Sequence, residues 1–137
     1  PIDSIVAQLN ADMVGRNGDD SLYIVGPGAA PNGQSATLGA VIDSVNAKTA
    51  RPFVFNREWD TTTHPERIYY RSDHFNYARK GIPIVFFTTG LHPQYHQVTD
   101  EAGLINYPKM ERIGSLMYRA GVALGDRTTR PKPTATQ

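Results

Sequence analysis

The chain has 137 residues, with 14 Lys plus Arg against 13 Asp plus Glu, 39% hydrophobic residues and no cysteine. This is the composition of one folded domain with material for a core, and not of a disordered chain. The balanced charge, without a basic run, argues against nucleic acid as a partner, and no apolar stretch approaches the ~20 residues needed to span a bilayer. The missing cysteines remove disulfides, thiolate metal sites and cysteine nucleophiles, while leaving the compartment open. Because the chain opens on Pro1, with no basic segment followed by an apolar one, it reads as processed or cut from something longer.

From Ile5 to Val14, Ile5, Ala7, Leu9, Ala11 and Met13 alternate with Val6, Gln8, Asn10 and Asp12, which predicts a strand. Asp12, just before Gly15, is an unusual residue for a core strand and an ordinary one for a site. Ser21 to Val25 reads as a second strand, closed by Gly26, Pro27 and Gly28. Leu38, Val41, Ile42 and Val45 then fall at helical spacing between Ser35 and Lys48, with Ser35 or Thr37 as the cap. Arg51 to Asn56 is a further strand candidate, and the polar, Thr-rich stretch from Arg57 to Tyr70 reads as loop.

Ser72 is placed to cap a short helix running to Lys80, with Asp73 in its first turn, His74 at its start and Gly81 at its end. Pro83 to Thr89 is a continuous apolar run, as in a strand buried on both faces. Asn106 caps a helix whose apolar stripe is Met110, Ile113, Met117, Ala120 and Leu124, stopped by Gly125. Residues 126–137 have no apolar periodicity and are expected to form a mobile tail beyond a domain of residues 1–125.

Strands alternating with helices predict a three-layer α/β sandwich around a mixed, largely parallel sheet. Such sheets place ligands beyond the carboxyl ends of their strands. Asp12 ends the first strand, and His92 and His96 follow the strand ending at Thr89, so separate readings converge on one sheet edge. No HExxH, P-loop, GxSxG or paired-cysteine motif accompanies them. Read from the residues alone, Asp12 is a metal ligand or a carboxylate capping a turn, and His96 a ligand or an ordinary loop histidine.

Three ordered segments narrow this: Leu9-Asn10-Ala11-Asp12-Met13-Val14-Gly15-Arg16, then Tyr70-Arg71-Ser72-Asp73-His74-Phe75, then Gly81-Ile82-Pro83 through Gly90-Leu91-His92-Pro93-Gln94-Tyr95-His96 and on to Thr99-Asp100. Together they resemble the second half of the two-zinc aminopeptidases of the aminopeptidase Y and aminopeptidase S type, from about Ile5 to Leu124. The resemblance implies that Asp12 binds one zinc and His96 the other, that Tyr95 stabilises the developing oxyanion, and that Asp100 orients the loop or a ligand. It also implies that the other ligands and the Glu base lie upstream, in a half of the domain absent from this chain, so that the isolated chain is inactive. Glu101 departs from the Thr common in the family after that Asp, which weakens the role of Asp100.

Asp73 and His74 are substrate-side candidates or helix-start electrostatics. Arg71 either meets a substrate carboxylate or covers apolar surface with its stem. His92 reads as structural or exposed, and His64 as solvated. The resemblance implies hydrolysis of N-terminal residues from peptides, an extracellular or periplasmic setting, and self-association or pairing with the missing half. Two other readings stand beside it: a non-catalytic binding or assembly module of the same fold, and a related carboxypeptidase or glutaminyl cyclase-like enzyme.

Overall fold

A computed structural model of the protein describes residues 1–28 and 34–134. The strands are β1 (Gln8–Ala11), β2 (Ser21–Val25), β3 (Val54–Asn56) and β4 (Ile84–Thr88), and the helices α1 (Ala36–Ala47), α2 (His74–Ala78) and α3 (Tyr107–Gly125). The sheet order is β1-β4-β2-β3; β1 runs parallel to β4 and β2 parallel to β3, while β2 and β4 are antiparallel. The expected mixed α/β sheet is present, with helices on both faces.

The apolar run in β4 is buried throughout, and its alternation divides the core. Val85 and Phe87 pack with Leu22, Leu38, Ile42, Ile113 and Leu116 on the α1/α3 face, whereas Ile84 and Phe86 pack with Val25, Trp59, Ile68 and Tyr69 on the opposite face. The predicted stripe of α3 faces inward at Ile113, Ala120 and Leu124, and Leu116 joins it. Asn106 caps this helix by accepting from the Lys109 amide at 3.0 Å, and the helix continues through Gly125 to end on Asp126. Ser35 caps α1 by accepting from Leu38 N.

Two strands are shorter than their sequence patterns. β1 begins only at Gln8, where its ladder with β4 starts and Gln8 N donates to Pro83 O at 2.9 Å; Ile5 to Ala7 lie outside that ladder. β3 begins only at Val54, because the Phe53 backbone is taken by a side chain: Asn46 Nδ2 donates to Phe53 O at 2.8 Å, and Phe53 N donates to Asn46 Oδ1 at 2.9 Å. The stretch from Arg57 to Tyr70 contains a 3-10 turn, Ile68–Tyr70, and supplies buried Trp59, Ile68 and Tyr69 to the second core. Its polar composition hid this because three large side chains among many small polar ones have no period. Beyond α3, Arg130 donates to the carbonyls of Asp3 and Ile5, and Thr134 N to Gln34 O.

Candidate active site

The parallel pairing of β1 and β4 brings their carboxyl ends to one edge, and the chain beyond them is tied by backbone bonds. Asp12 N donates to Phe87 O at 3.3 Å, Thr89 N to Met13 O at 3.1 Å, and the Thr89 hydroxyl to Met13 O at 2.6 Å. Met13 has φ +56° and Gly15 φ +104°, so the strand stops abruptly after Asp12 and leaves that carboxylate exposed. His96 also adopts a left-handed conformation, with φ +57°. Non-glycine residues in this region carry local strain of order 1 kcal/mol, which recurs at functional sites.

A continuous set of contacts joins the two loops. Asn10 Nδ2 donates to Ser72 Oγ at 2.9 Å, and Ser72 Oγ donates to Asp12 Oδ2 at 2.8 Å. Next in sequence, Arg71 Nη2 donates to the Tyr95 hydroxyl at 3.0 Å, its guanidinium lying 5.7 Å from the Tyr95 ring centre. Arg71 is also held by the carboxylate of Glu66 at 3.3 Å. The Tyr95 ring stacks on His96, centroids 3.9 Å apart and 21° from parallel. Asp12, Tyr95 and His96, the three main candidates from the sequence, are thus linked through Ser72 and Arg71. His96 is exposed and Tyr95 half-buried.

The remaining candidates have other surroundings. The Asp100 carboxylate pairs with Arg16 and lies 3.9 Å from His92 Nε2, bracing the loop that carries Tyr95 and His96. Of its two readings, structural or exposed, His92 takes the structural one: its side chain is buried. His74 is wholly buried against Phe86, ring centroids 4.6 Å apart, and its Nε2 donates to Tyr69 O at 2.7 Å. Burial holds its pKa below the usual histidine value. This side chain braces the sheet beneath the site and offers nothing to solvent. Asp73 is exposed and makes no side-chain cap. Ser72, expected as the cap of α2, instead commits its hydroxyl to Asp12, and α2 is a short helix of five residues.

Beside this network lies a small, largely apolar pocket of about 40 Å³. Met13, Trp59, Ile68, Phe86 and Leu91 form its apolar walls, and Asp12, Arg71, Ser72 and Tyr95 border it as well. Trp59 had no sequence signal, whereas Ser72 was read as a helix cap and Arg71 as a substrate-carboxylate or surface-covering residue, and neither reading foresaw their bonds to Asp12 and Tyr95.

Among the described residues, no group of three or more His, Asp or Glu side chains could hold a metal ion. A carboxylate and an imidazole suit zinc chemically, and a zinc site takes three or four protein ligands, more than the described residues bring together.

A search of curated proteins gives no match. Among solved structures, the fold is similar to the aminopeptidase from Aneurinibacillus sp. strain AM-1, with TM-score 0.65 and 18% identity over 98% of this chain and 28% of that one. It is also similar to the LapA aminopeptidase of Legionella pneumophila, with TM-score 0.68 and 18% identity over 90% of this chain and 32% of that one. The chain therefore spans about a third or less of these structures' length, and the likeness is one of fold. Its sequence matches Peptidase family M28 over residues 1–121, nearly its whole length, and the chain belongs to that family.

Proposed function

We propose that this chain forms one wall of the active site of a zinc-dependent aminopeptidase that removes N-terminal residues from peptides. The observation that carries this reading is the linkage of Asp12 to the Tyr95–His96 pair through Ser72 and Arg71 at a single sheet edge. Asp12 and His96 would each give one ligand to one of two zinc ions, with the other ligands and the general base outside this chain. Zinc, when bound, supplies Lewis-acid polarisation of the scissile carbonyl and a lowered pKa for water.

The chain's own residues then do the positioning. The Ser72 hydroxyl engages Oδ2 of Asp12 and so sets the orientation of the carboxylate, with Oδ1 available as the ligand. Because Arg71 donates to the phenolic oxygen of Tyr95, the phenolic proton remains for an oxygen that gains negative charge during the reaction. The stack on Tyr95 restricts the His96 ring.

The test is to replace Asp12 or His96 with Ala in the gene product that carries this chain, then measure zinc by elemental mass spectrometry and hydrolysis of leucine p-nitroanilide. Each substitution should remove about one zinc and the activity with it. Full zinc content and unchanged turnover in both variants would refute the assignment.

A further inference from the structure

Lys109 lies in the first turn of α3 and is only 1% exposed. Both facts count against a lysine there. A cation is unfavourable at the positive end of a helix, and an ammonium withdrawn from water is costly unless it is bonded. Burial pulls its pKa below the usual lysine value, and the Asp19 carboxylate opposes that shift. A methionine would fill similar space without either cost, so what the lysine adds is its bonds. Its Nζ donates to Arg16 O and to Gly18 O, both at 2.7 Å.

These carbonyls belong to the loop between β1 and β2, and neighbouring residues of α3 hold the same loop. Asn106 N donates to Gly15 O at 2.8 Å, and Arg112 Nη1 to Asp19 O at 3.0 Å. One side of the loop is therefore bonded to α3, with Lys109 in the middle. The other side holds the segment that carries Tyr95 and His96. Asn17, at φ +59°, donates through Nδ2 to Thr89 O at 2.6 Å and to Leu91 O at 3.1 Å. The Arg16 guanidinium pairs with Asp100. Arg16 and Asn17 thus grip both ends of the segment from Thr89 to Asp100, and the carbonyls that Lys109 holds are those of the residues flanking Asn17.

Resting on the aminopeptidase reading above, we propose that Lys109 is a positioning residue for that site: its ammonium fixes the backbone of Arg16 to Gly18, so that Arg16 and Asn17 hold the Tyr95–His96 loop in place. Lys109 touches neither Tyr95 nor His96 and acts on them only through this loop.

The experiment measures hydrolysis of leucine p-nitroanilide by the zinc-loaded gene product and by its Lys109→Met, Arg16→Met and double variants, with kcat expressed per bound zinc. Displacing a catalytic group by about 1 Å costs about 10²-fold in rate. Lys109→Met should lower kcat per bound zinc by about tenfold to 10²-fold with KM near native, and the double variant should be no worse than Lys109→Met alone. A merely structural lysine would lower zinc content and activity together and leave kcat per bound zinc unchanged. That result, or losses that multiply in the double variant, would overturn the proposal. Should Lys109→Met fail to fold, Lys109→Gln keeps a donor for one of the two carbonyls and should show a smaller loss of the same kind.

A second readout needs no activity. The amides of Tyr95, Gln97 and Asp100 donate to His92 O, Gln94 O and Gln97 O within the loop. Hydrogen exchange followed by mass spectrometry should find residues 92–100 exchanging about tenfold faster in the lysine variant, with α1 unchanged. Faster exchange confined to residues 15–20, or spread equally through α1, would overturn the proposal. Failure of the native protein to hydrolyse the substrate would overturn the aminopeptidase reading instead, and the exchange result would still decide the role of Lys109 in holding the loop.

Discussion

Arg71 donates a hydrogen bond to the hydroxyl of Tyr95 at 3.0 Å across 24 positions of sequence. The bond fixes both partners. Glu66 restrains the guanidinium from behind, and the stack on His96 restrains the phenol from its face. If Tyr95 stabilises an oxyanion, Arg71 acts through it as a positioning residue. Tyr95→Phe should lower kcat by about 10²-fold with little change in KM, the usual loss for one oxyanion donor. Arg71→Ala should lower kcat as well, and the double variant should be no worse than Tyr95→Phe alone. A double-mutant cycle on the gene product checks this, and fully additive losses would show that Arg71 acts independently of Tyr95.

If Asp12 and His96 each serve a separate zinc ion, as proposed, the 137-residue chain should not keep metal by itself. Single ligands do not retain zinc against metal-free buffer, because a stable site needs three or four. After dialysis, elemental mass spectrometry should find essentially no zinc in the chain. Two zincs per chain would mean that ligands come from elsewhere in it or from a second copy.

Association of the chain is also expected. β1 is an edge strand of the sheet, paired only with β4 among the described residues, and Ile2, Ile5 and Val6 beside it are 49%, 37% and 43% exposed. An open ladder flanked by apolar side chains favours pairing with another strand. Light scattering should give a mass above that of the monomer, and an Ile5→Lys substitution should reduce it. A monomer at all concentrations would count against the idea.

Stability should fall in acid because of His74. Its Nε2 donates to Tyr69 O, leaving Nδ1 as a buried lone pair with no partner, and protonation there would bury a charge. The folded-state pKa lies below the ordinary 6.5, burial being the main cause. The unfolded chain therefore binds the proton more readily, so the neutral ring's contribution is fully present above pH 6.5 and is lost as pH falls below it. Urea unfolding at a series of pH values should show this loss, and His74→Leu should flatten the slope just below that value. An identical slope in the variant would assign the acid sensitivity to other groups.

Gly26 offers a test of the packing. It has φ +118°, and a Cβ there would lie 1.9 Å from Ile84 Cδ1 and 2.8 Å from Ile84 O. Gly26→Ala should destabilise the fold by about 2 kcal/mol or more, from strain and overpacking combined. Chemical denaturation measures the loss, and an unchanged midpoint would show that the turn can relax.

Elements whose pattern is local could be read directly from the residues. β4 was legible as an unbroken apolar run, α3 by its stripe and its Asn106 cap, and α1 by its Ser35 cap. Asp12, Tyr95 and His96 were legible as candidates because ordered motifs and strand ends pointed to them. The features that emerged only on folding are non-local. The parallel register of β1 with β4 carries Asp12 to the edge of the Tyr95 loop, and no spacing within the chain encodes that register. Ser72 and Arg71 became the connectors only because folding brought their polar groups within hydrogen-bonding distance of partners 60 and 24 residues away. Trp59 sat in a stretch without periodicity, and a pocket wall is defined by surfaces packed from several segments, which no single segment of sequence specifies.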